Sequence, residues 1–82
     1  MKVPFLGSYD EIHIGYDVDH LVVEVDGRTP DGFWESILLE EEINDPLSYA
    51  LGIKDMFSKL YKSIPVTVLK INLLGDESVE SN

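Results

Sequence analysis

The chain contains no cysteine, few basic residues and no long apolar run. The absence of cysteine excludes both a disulfide framework and a thiolate metal site. No stretch approaches the roughly 18 consecutive apolar residues of a membrane-spanning helix, and Pro4 interrupts an N-terminal apolar run that is too short for a signal peptide. We therefore expect a cytoplasmic protein without membrane contacts.

Basic residues are scarce relative to acidic ones. Six Lys and Arg against sixteen Asp and Glu give a formal net charge of −10. Because this charge repels phosphate, we expect no direct binding to nucleic acid. The charge is also segregated, since residues 1–46 hold twelve acidic and two basic residues while residues 47–75 hold one acidic residue and four lysines. Such segregation predicts a strong local field, which suits a basic partner protein.

The length and hydrophobic content indicate one folded domain. Hydrophobic residues make up 44% of the 82 positions, which is enough to form a core. We assign a single globular domain to residues 1–75 and a disordered acidic tail to residues 76–82. Small cores are often stabilised further by oligomerisation, so a homodimer stays an open alternative.

Residues 11–27 alternate apolar and polar side chains, as a half-buried β-hairpin does. With Asp19 and His20 as a two-residue turn, Ile14 lies opposite Val25 and one face is wholly apolar. A slip of one residue would mix the two faces, which supports this register. The other face then carries three pairs: His13 with Asp26, Gly15 with Glu24, and Asp17 with Val22.

The segment from Phe33 to Ile43 fits either a helix or a strand. As a helix capped by Thr29, it would place Glu41 inside its apolar face, so we favour the strand. In the strand, Trp34, Ser36 and Leu38 alternate with Phe33, Glu35, Ile37 and Leu39.

A helix is indicated after this strand. Asn44 or Asp45 can cap it, Pro46 suits its first turn, and Pro65 excludes its continuation. A last strand follows from Val66 to Leu74. Together the elements predict an α+β fold, in which an antiparallel sheet of about four strands in the order β-β-β-α-β has one amphipathic helix on one face. The helix residues expected to face the core are Leu47, Ala50, Ile53, Phe57, Leu60, Tyr61 and Ile64.

The acidic and histidine residues give no pattern typical of catalysis or of metal binding. His13 and His20 are close in sequence, but in the hairpin register they do not converge on one metal ion. General acid–base catalysis needs a buried carboxyl with a raised pKa, whereas the acidic residues here alternate outward or lie in loops. We expect a protein without enzymatic activity, metal or cofactor.

A single helix leaves one face of the sheet uncovered. With Trp34 and Leu38 toward the helix, the uncovered face has an apolar centre surrounded by acidic residues, which is typical of an interface. Glu24 and Glu35 would be cross-strand neighbours, and such repulsion is tolerated where the charges serve a partner. The expected apolar centre consists of Val22, Phe33, Ile37 and Leu39.

Residues Glu35 to Leu38, "ESIL", precede an acid-rich stretch. This segment resembles the strand of the phage uracil-DNA glycosylase inhibitors, small acidic DNA mimics whose Glu-Ser-Ile segment inserts into the DNA-binding cleft of the enzyme. The resemblance, which covers four residues, implies polar contacts from Glu35 and Ser36 and an apolar contact from Ile37 and Leu38.

The leading hypothesis is an acidic inhibitor, encoded by a phage or mobile element, that mimics nucleic acid and blocks a basic nucleic-acid-binding protein. One alternative is an immunity protein that neutralises a basic nuclease toxin. Another is a homodimeric structural or assembly subunit, formed through the uncovered face or the edge of the last strand. The expected partner-binding residues are Asp17, Glu24, Asp26, Phe33, Trp34, Glu35, Ile37, Glu40, Glu41 and Glu42.

Overall fold

The computed structural model describes residues 9–72. The elements are β1 (Glu11–Asp17), β2 (Val22–Arg28), β3 (Trp34–Glu40), α1 (Pro46–Leu60) and β4 (Val66–Lys70). The α+β class and the order β-β-β-α-β are confirmed. The predicted tail at residues 76–82 lies outside the described residues, as do the last two residues of the strand predicted to end at Leu74. Within residues 9–72, α1 falls short of the length and apolar character needed to cross a membrane.

The four strands form one mixed sheet in the order β3-β2-β1-β4. β2 is antiparallel to both β1 and β3, whereas β4 is parallel to β1. The prediction of a wholly antiparallel sheet is therefore wrong for β4. The physical reason is that α1 carries the chain back along the sheet, so that β4 starts from the same end as β3.

The β1–β2 hairpin has the predicted register. All the predicted pairs between β1 and β2 are present, from His13 with Asp26 to Asp17 with Val22. The turn, however, comprises four residues, 18–21, instead of the predicted two. Register is set by the apolar face of the hairpin, which tolerates no slip, whereas turn length depends on local side-chain bonding.

α1 packs on the apolar face of the sheet, over β1 and β4 and against part of β2. Asp45 caps it by accepting a hydrogen bond from the Ser48 amide at 3.2 Å, and Pro46 is its first residue, as predicted. Leu47 and Leu60 lie in its first and last turns and are exposed, so their predicted burial is wrong. The core consists of Ile12, Ile14, Val23, Val25, Ala50, Ile53 and Phe57.

β3 contains a β-bulge. Val25 of β2 lies opposite Leu38, but the next residue, Asp26, lies opposite Ser36. Ile37 is therefore an extra residue without a cross-strand partner. Because side chains alternate along a strand, one extra residue reverses the faces of all residues that precede it.

The bulge corrects the predicted orientation of the first half of β3. Trp34 was expected to face α1, but its ring lies 4.3 Å from the ring of His13 on the opposite face. Glu35 and Ile37 were expected on the uncovered face. Instead, Glu35 accepts a hydrogen bond from the Tyr9 hydroxyl at 2.8 Å, and Ile37 packs against the core.

Gly27 makes room for this arrangement on the helix side of the sheet. A Cβ atom at this position would lie 2.7 Å from the Tyr9 ring and 2.8 Å from Cδ1 of Ile37. These distances are shorter than van der Waals contact, so a larger residue at position 27 would displace one of the two side chains. The glycine thus allows Tyr9 to reach Glu35.

Candidate partner-binding face of the sheet

The side of the sheet opposite α1 carries a small group of accessible side chains from β1, β2 and β3. The register aligns His13, Asp26 and Ser36 in one row, and Glu24 with Leu39 in another. The bulge adds Trp34 to this side. We call this group the open face, and it consists of His13, Glu24, Asp26, Trp34, Ser36 and Leu39.

Part of the remainder of this side is covered. Ile71, which follows β4, lies over Gly15, where a Cβ atom would come within 2.9 Å of the Ile71 side chain. Its amide donates to the Tyr16 carbonyl at 2.8 Å, which fixes the chain at this position. Val22 and Asp17, both expected on the uncovered face, are buried. The accessible region comprises the open face and, on β4, the exposed residues Thr67 and Leu69, which the register aligns with His13 and Gly15.

The apolar part of the open face differs from the predicted one. Leu39 was expected there and is 51% exposed, whereas Trp34, which is 45% exposed, was expected on the other face. Val22 and Ile37, also expected there, do not contribute. The Trp34 and His13 rings are tilted by 33° relative to each other, and His13 Nε2 lies 2.9 Å from Glu11 Oε2. Contact with His13 restrains the indole ring, so that Trp34 offers a preorganised apolar surface.

Glu24 and Asp26 form a pair of interacting carboxyl groups on β2. Burial raises the pKa of Glu24, and the charge of Asp26 and a hydrogen bond with Asp26 raise it further, although Ser36 lowers it. Burial also raises the pKa of Asp26, whereas the hydrogen bond with Glu24 and the charge of His13 lower it. The pair thus holds a proton more tightly than two separate carboxyls would. Both carboxyls alternate outward on β2, as predicted, but they are only partly exposed there.

This pair predicts a decrease in stability as the pH rises. Both pKa values are higher in the folded than in the unfolded chain, so folding favours the protonated forms. The free energy of unfolding contributed by the pair is greatest below the ordinary carboxyl pKa of about 4 and decreases as the pH rises through the raised values. In Glu24→Gln we expect higher stability at neutral pH and a weaker decrease, measured by urea unfolding across this pH range.

The matched control for this experiment is Glu41→Gln. It removes the same charge at an exposed position outside the open face. We expect the pH dependence of Glu41→Gln to follow that of the unmodified chain. Equal pH profiles for Glu24→Gln and Glu41→Gln would contradict a specific Glu24–Asp26 interaction.

Asp17 has a structural position in the hairpin turn. Its Oδ1 accepts hydrogen bonds from the amides of Asp19 and His20 at 3.0 and 3.2 Å. Its Oδ2 lies 2.6 Å from Nδ1 of His20. Since only 2% of Asp17 is exposed, its carboxylate is directed to the turn and not to a partner surface. We therefore leave Asp17 out of the candidate site.

Other predicted partner-binding residues lie at the two ends of β3. Glu40 ends the strand, and Glu41 and Glu42 are exposed in the connection to α1. This connection is tied to the hairpin turn, because the Ile43 amide donates to the Leu21 carbonyl at 2.9 Å. Phe33 lies at the opposite end of β3 and is 68% exposed.

The structure thus brings together only three of the predicted partner-binding residues on one face: Glu24, Asp26 and Trp34. His13, Ser36 and Leu39 were not among the expected partner-binding residues, although Leu39 was expected in the apolar centre of the uncovered face and the "ESIL" resemblance implied a contact from Ser36. The hairpin register already placed His13 beside Asp26, so a signal for His13 was available. Ser36 could not be found in this way, because no feature of the sequence marks the bulge that turns it to the open face.

The two histidines occupy separate sites, His13 on the open face and His20 in the turn. Among residues 9–72, no three or more His, Asp or Glu side chains form a cluster suited to a metal ion. The side chains of the open face offer charge, hydrogen bonding and apolar contact.

Comparisons of the chain with protein-family models, with curated proteins and with solved structures give no match.

Proposed function

We propose that this chain is a non-enzymatic inhibitor, encoded by a phage or mobile element, that mimics nucleic acid and blocks a basic nucleic-acid-binding protein in the cytoplasm. The observation that carries the proposal is the Glu24–Asp26 pair beside exposed Trp34 and Leu39, on a chain of net charge −10. An acidic field accelerates encounter with a basic surface, and a central aromatic residue supplies contact energy.

The unfavourable electrostatics of the Glu24–Asp26 pair support a binding role. Acidic residues that serve only solubility are best placed apart, because neighbouring like charges reduce stability. Here burial raises the pKa of both carboxyls, and the neighbouring Asp26 raises the pKa of Glu24 further. Stability is often lower at a functional site than elsewhere, since the site's groups are arranged for a ligand. Lys or Arg side chains of a partner would compensate the pair.

The spacing of the carboxylates supports the mimicry of a phosphate backbone. Glu24 and Asp26 lie two apart on β2, where Cα atoms are separated by roughly 6.6 Å, and their side chains meet in a hydrogen bond, so the pair forms one local concentration of negative charge. Phosphate charges recur along each strand of duplex DNA about every 3.4 Å of axis, which is about half that Cα spacing, so the pair would stand in for one or two neighbouring phosphates. The sheet therefore presents a rigid acidic surface. A partner's groove lined by Lys and Arg would meet a charge similar to that of nucleic acid, its usual ligand.

The contact would differ from the one that the "ESIL" resemblance implies. Ser36 lies on the open face, but Glu35 bonds to Tyr9 and Ile37 packs against the core. In our proposal Glu24 and Asp26 provide the polar contacts, and Trp34 provides the apolar one. What we retain from the resemblance is the strategy of an acidic protein that competes with nucleic acid.

Affinity capture from a bacterial lysate at low salt tests this function. We expect the immobilised chain to retain one basic protein, with and without nuclease treatment of the lysate. Added duplex DNA should release the retained protein, because DNA and this chain compete for one basic surface. Added salt should also release it, because salt screens the electrostatic attraction. Retention that disappears after nuclease treatment, or that is indifferent to salt and to DNA, would contradict the proposal.

A further inference from the structure

The two edge strands of the sheet differ in how well they can pair with another strand. β3 carries Glu35 and Glu40 and is interrupted by the bulge at Ile37, and both features hinder edge-to-edge pairing. β4 has no bulge and fewer charges. It pairs with β1 in an unbroken register, and Lys70 at its end is its only charged residue. Within residues 9–72, the sheet order leaves the outer side of β4 without a neighbouring strand.

The hydrogen bonds at the two ends of β4 establish which backbone groups point outward. The Pro65 carbonyl accepts from the Ile12 amide at 2.9 Å, and the Ile71 amide donates to the Tyr16 carbonyl at 2.8 Å. In a parallel pair, every second residue bonds to the same neighbouring strand. Odd-numbered residues of this segment therefore face β1. The outward residues are Val66, Val68 and Lys70.

We propose that β4 pairs with β4 of a second copy of this chain, antiparallel, across a two-fold axis at Val68. The pattern of outward groups is symmetric about Val68, so Val68 would lie opposite Val68 of the second copy as a hydrogen-bonded pair. Val66 would lie opposite Lys70 of the second copy, which keeps the two lysines apart. The result is one continuous sheet of eight strands, four from each copy.

The distribution of charge favours a second copy at this edge. Two chains of net charge −10 repel each other, and the acidic residues lie mostly before residue 47. Pairing through β4 joins the copies at a strand without acidic residues and places both acidic β3 edges at the far ends of the joined sheet. The two open faces remain free on the same side. Dimerisation is therefore independent of the proposed inhibitory function.

Two measurements on the full chain test the dimer: sedimentation reports its mass, and amide hydrogen exchange reports which strand forms the contact. We expect the mass to rise from one chain to two with concentration. Over the same range the amides of Val66 and Val68 should gain protection from exchange, whereas those of Thr67 and Leu69, which face β1, should be protected throughout. A monomer at every concentration would overturn the proposal, and so would a dimer in which the Val68 amide exchanges freely.

A pair of variants at Lys70 isolates the backbone contact. Lys70→Pro removes an outward amide that has no role in the pairing with β1, so the fold should persist. We expect it to weaken dimerisation roughly tenfold or more, while Lys70→Ala, which keeps the amide, dimerises as the unmodified chain does. Circular dichroism verifies that both variants fold. Equal dimerisation by the two folded variants would contradict pairing through this edge.

Discussion

Replacement of Asp17 by alanine is expected to destabilise the fold by about 3 kcal/mol. The carboxylate accepts two turn amides and contacts the His20 ring, and Asp17→Ala would remove all three contacts from a site that is 2% exposed. Domains of this size are typically stable by only about 5–15 kcal/mol. The melting temperature should therefore fall by more than about 10 °C, measured by calorimetry.

Three further variants separate the contributions around Asp17. Asp17→Asn retains an oxygen for the turn amides but loses the charge, so we expect a smaller loss of about 1 kcal/mol. His20→Ala leaves the turn amides bonded and should also cost less than Asp17→Ala. Asp19→Ala, at an exposed position of the same turn, should change stability by less than about 0.5 kcal/mol. If Asp17→Ala were no more destabilising than Asp19→Ala, the structural role of Asp17 would be excluded.

The hairpin register was predictable because one physical constraint determines it. Ile14 and Val25 must face the same core, and a one-residue shift would turn every apolar side chain of a strand to the wrong side. The turn was harder to predict. Leu21 adopts φ 58°, a conformation that leucine rarely takes. A partial signal was available in Asp17, since an Asp at the end of a strand commonly bonds to amides two and three residues on.

The orientation of β3 could not be predicted because the bulge has no sequence signature. The segment from Trp34 to Leu39 is apolar on both alternating faces, so either orientation satisfies the hydrophobic pattern. The structure resolves the ambiguity through long-range contacts: Tyr9 with Glu35 on one side, and His13 with Trp34 on the other. Because the candidate site depends on this orientation, its acidic residues on β2 were predictable but its aromatic residue was assigned to the wrong face.

The position of α1 was largely predictable, and the direction of β4 could have been. Asp45 and Pro46 mark the start of the helix by capping and by a fixed φ angle. A strand, a helix and a second strand in succession commonly form a crossover between parallel strands. That rule indicates that β4 is parallel to β3, and hence to β1, although it does not indicate the edge that β4 occupies.

Reversal of the charges at the centre of the open face should produce the largest loss of partner binding. In Glu24→Lys/Asp26→Lys two carboxylates become cations at the point of contact, so repulsion of a basic partner replaces attraction. We expect the dissociation constant for the captured protein to rise about 100-fold or more at low salt, measured by calorimetric titration. Each reversal replaces one negative charge by one positive charge, a change of two units, so the net charge changes from −10 to −6.

The matched control, Asp31→Lys/Asp55→Lys, produces the same net charge at exposed positions in the β2–β3 loop and on α1. It also breaks the exposed Asp55–Lys59 ion pair, whose atoms lie 3.1 Å apart and which contributes little to stability. Because both positions lie outside the open face, the variant should slow association and weaken binding by less than about tenfold. Trp34→Ala should also weaken binding, through faster dissociation, and its effect should persist at high salt because an apolar contact is not screened. Equal losses in the two charge-reversed variants would mean that net charge alone attracts the partner. A larger loss of binding in Glu24→Lys/Asp26→Lys than in the control, together with a salt-resistant loss in Trp34→Ala, would locate the contact on the open face.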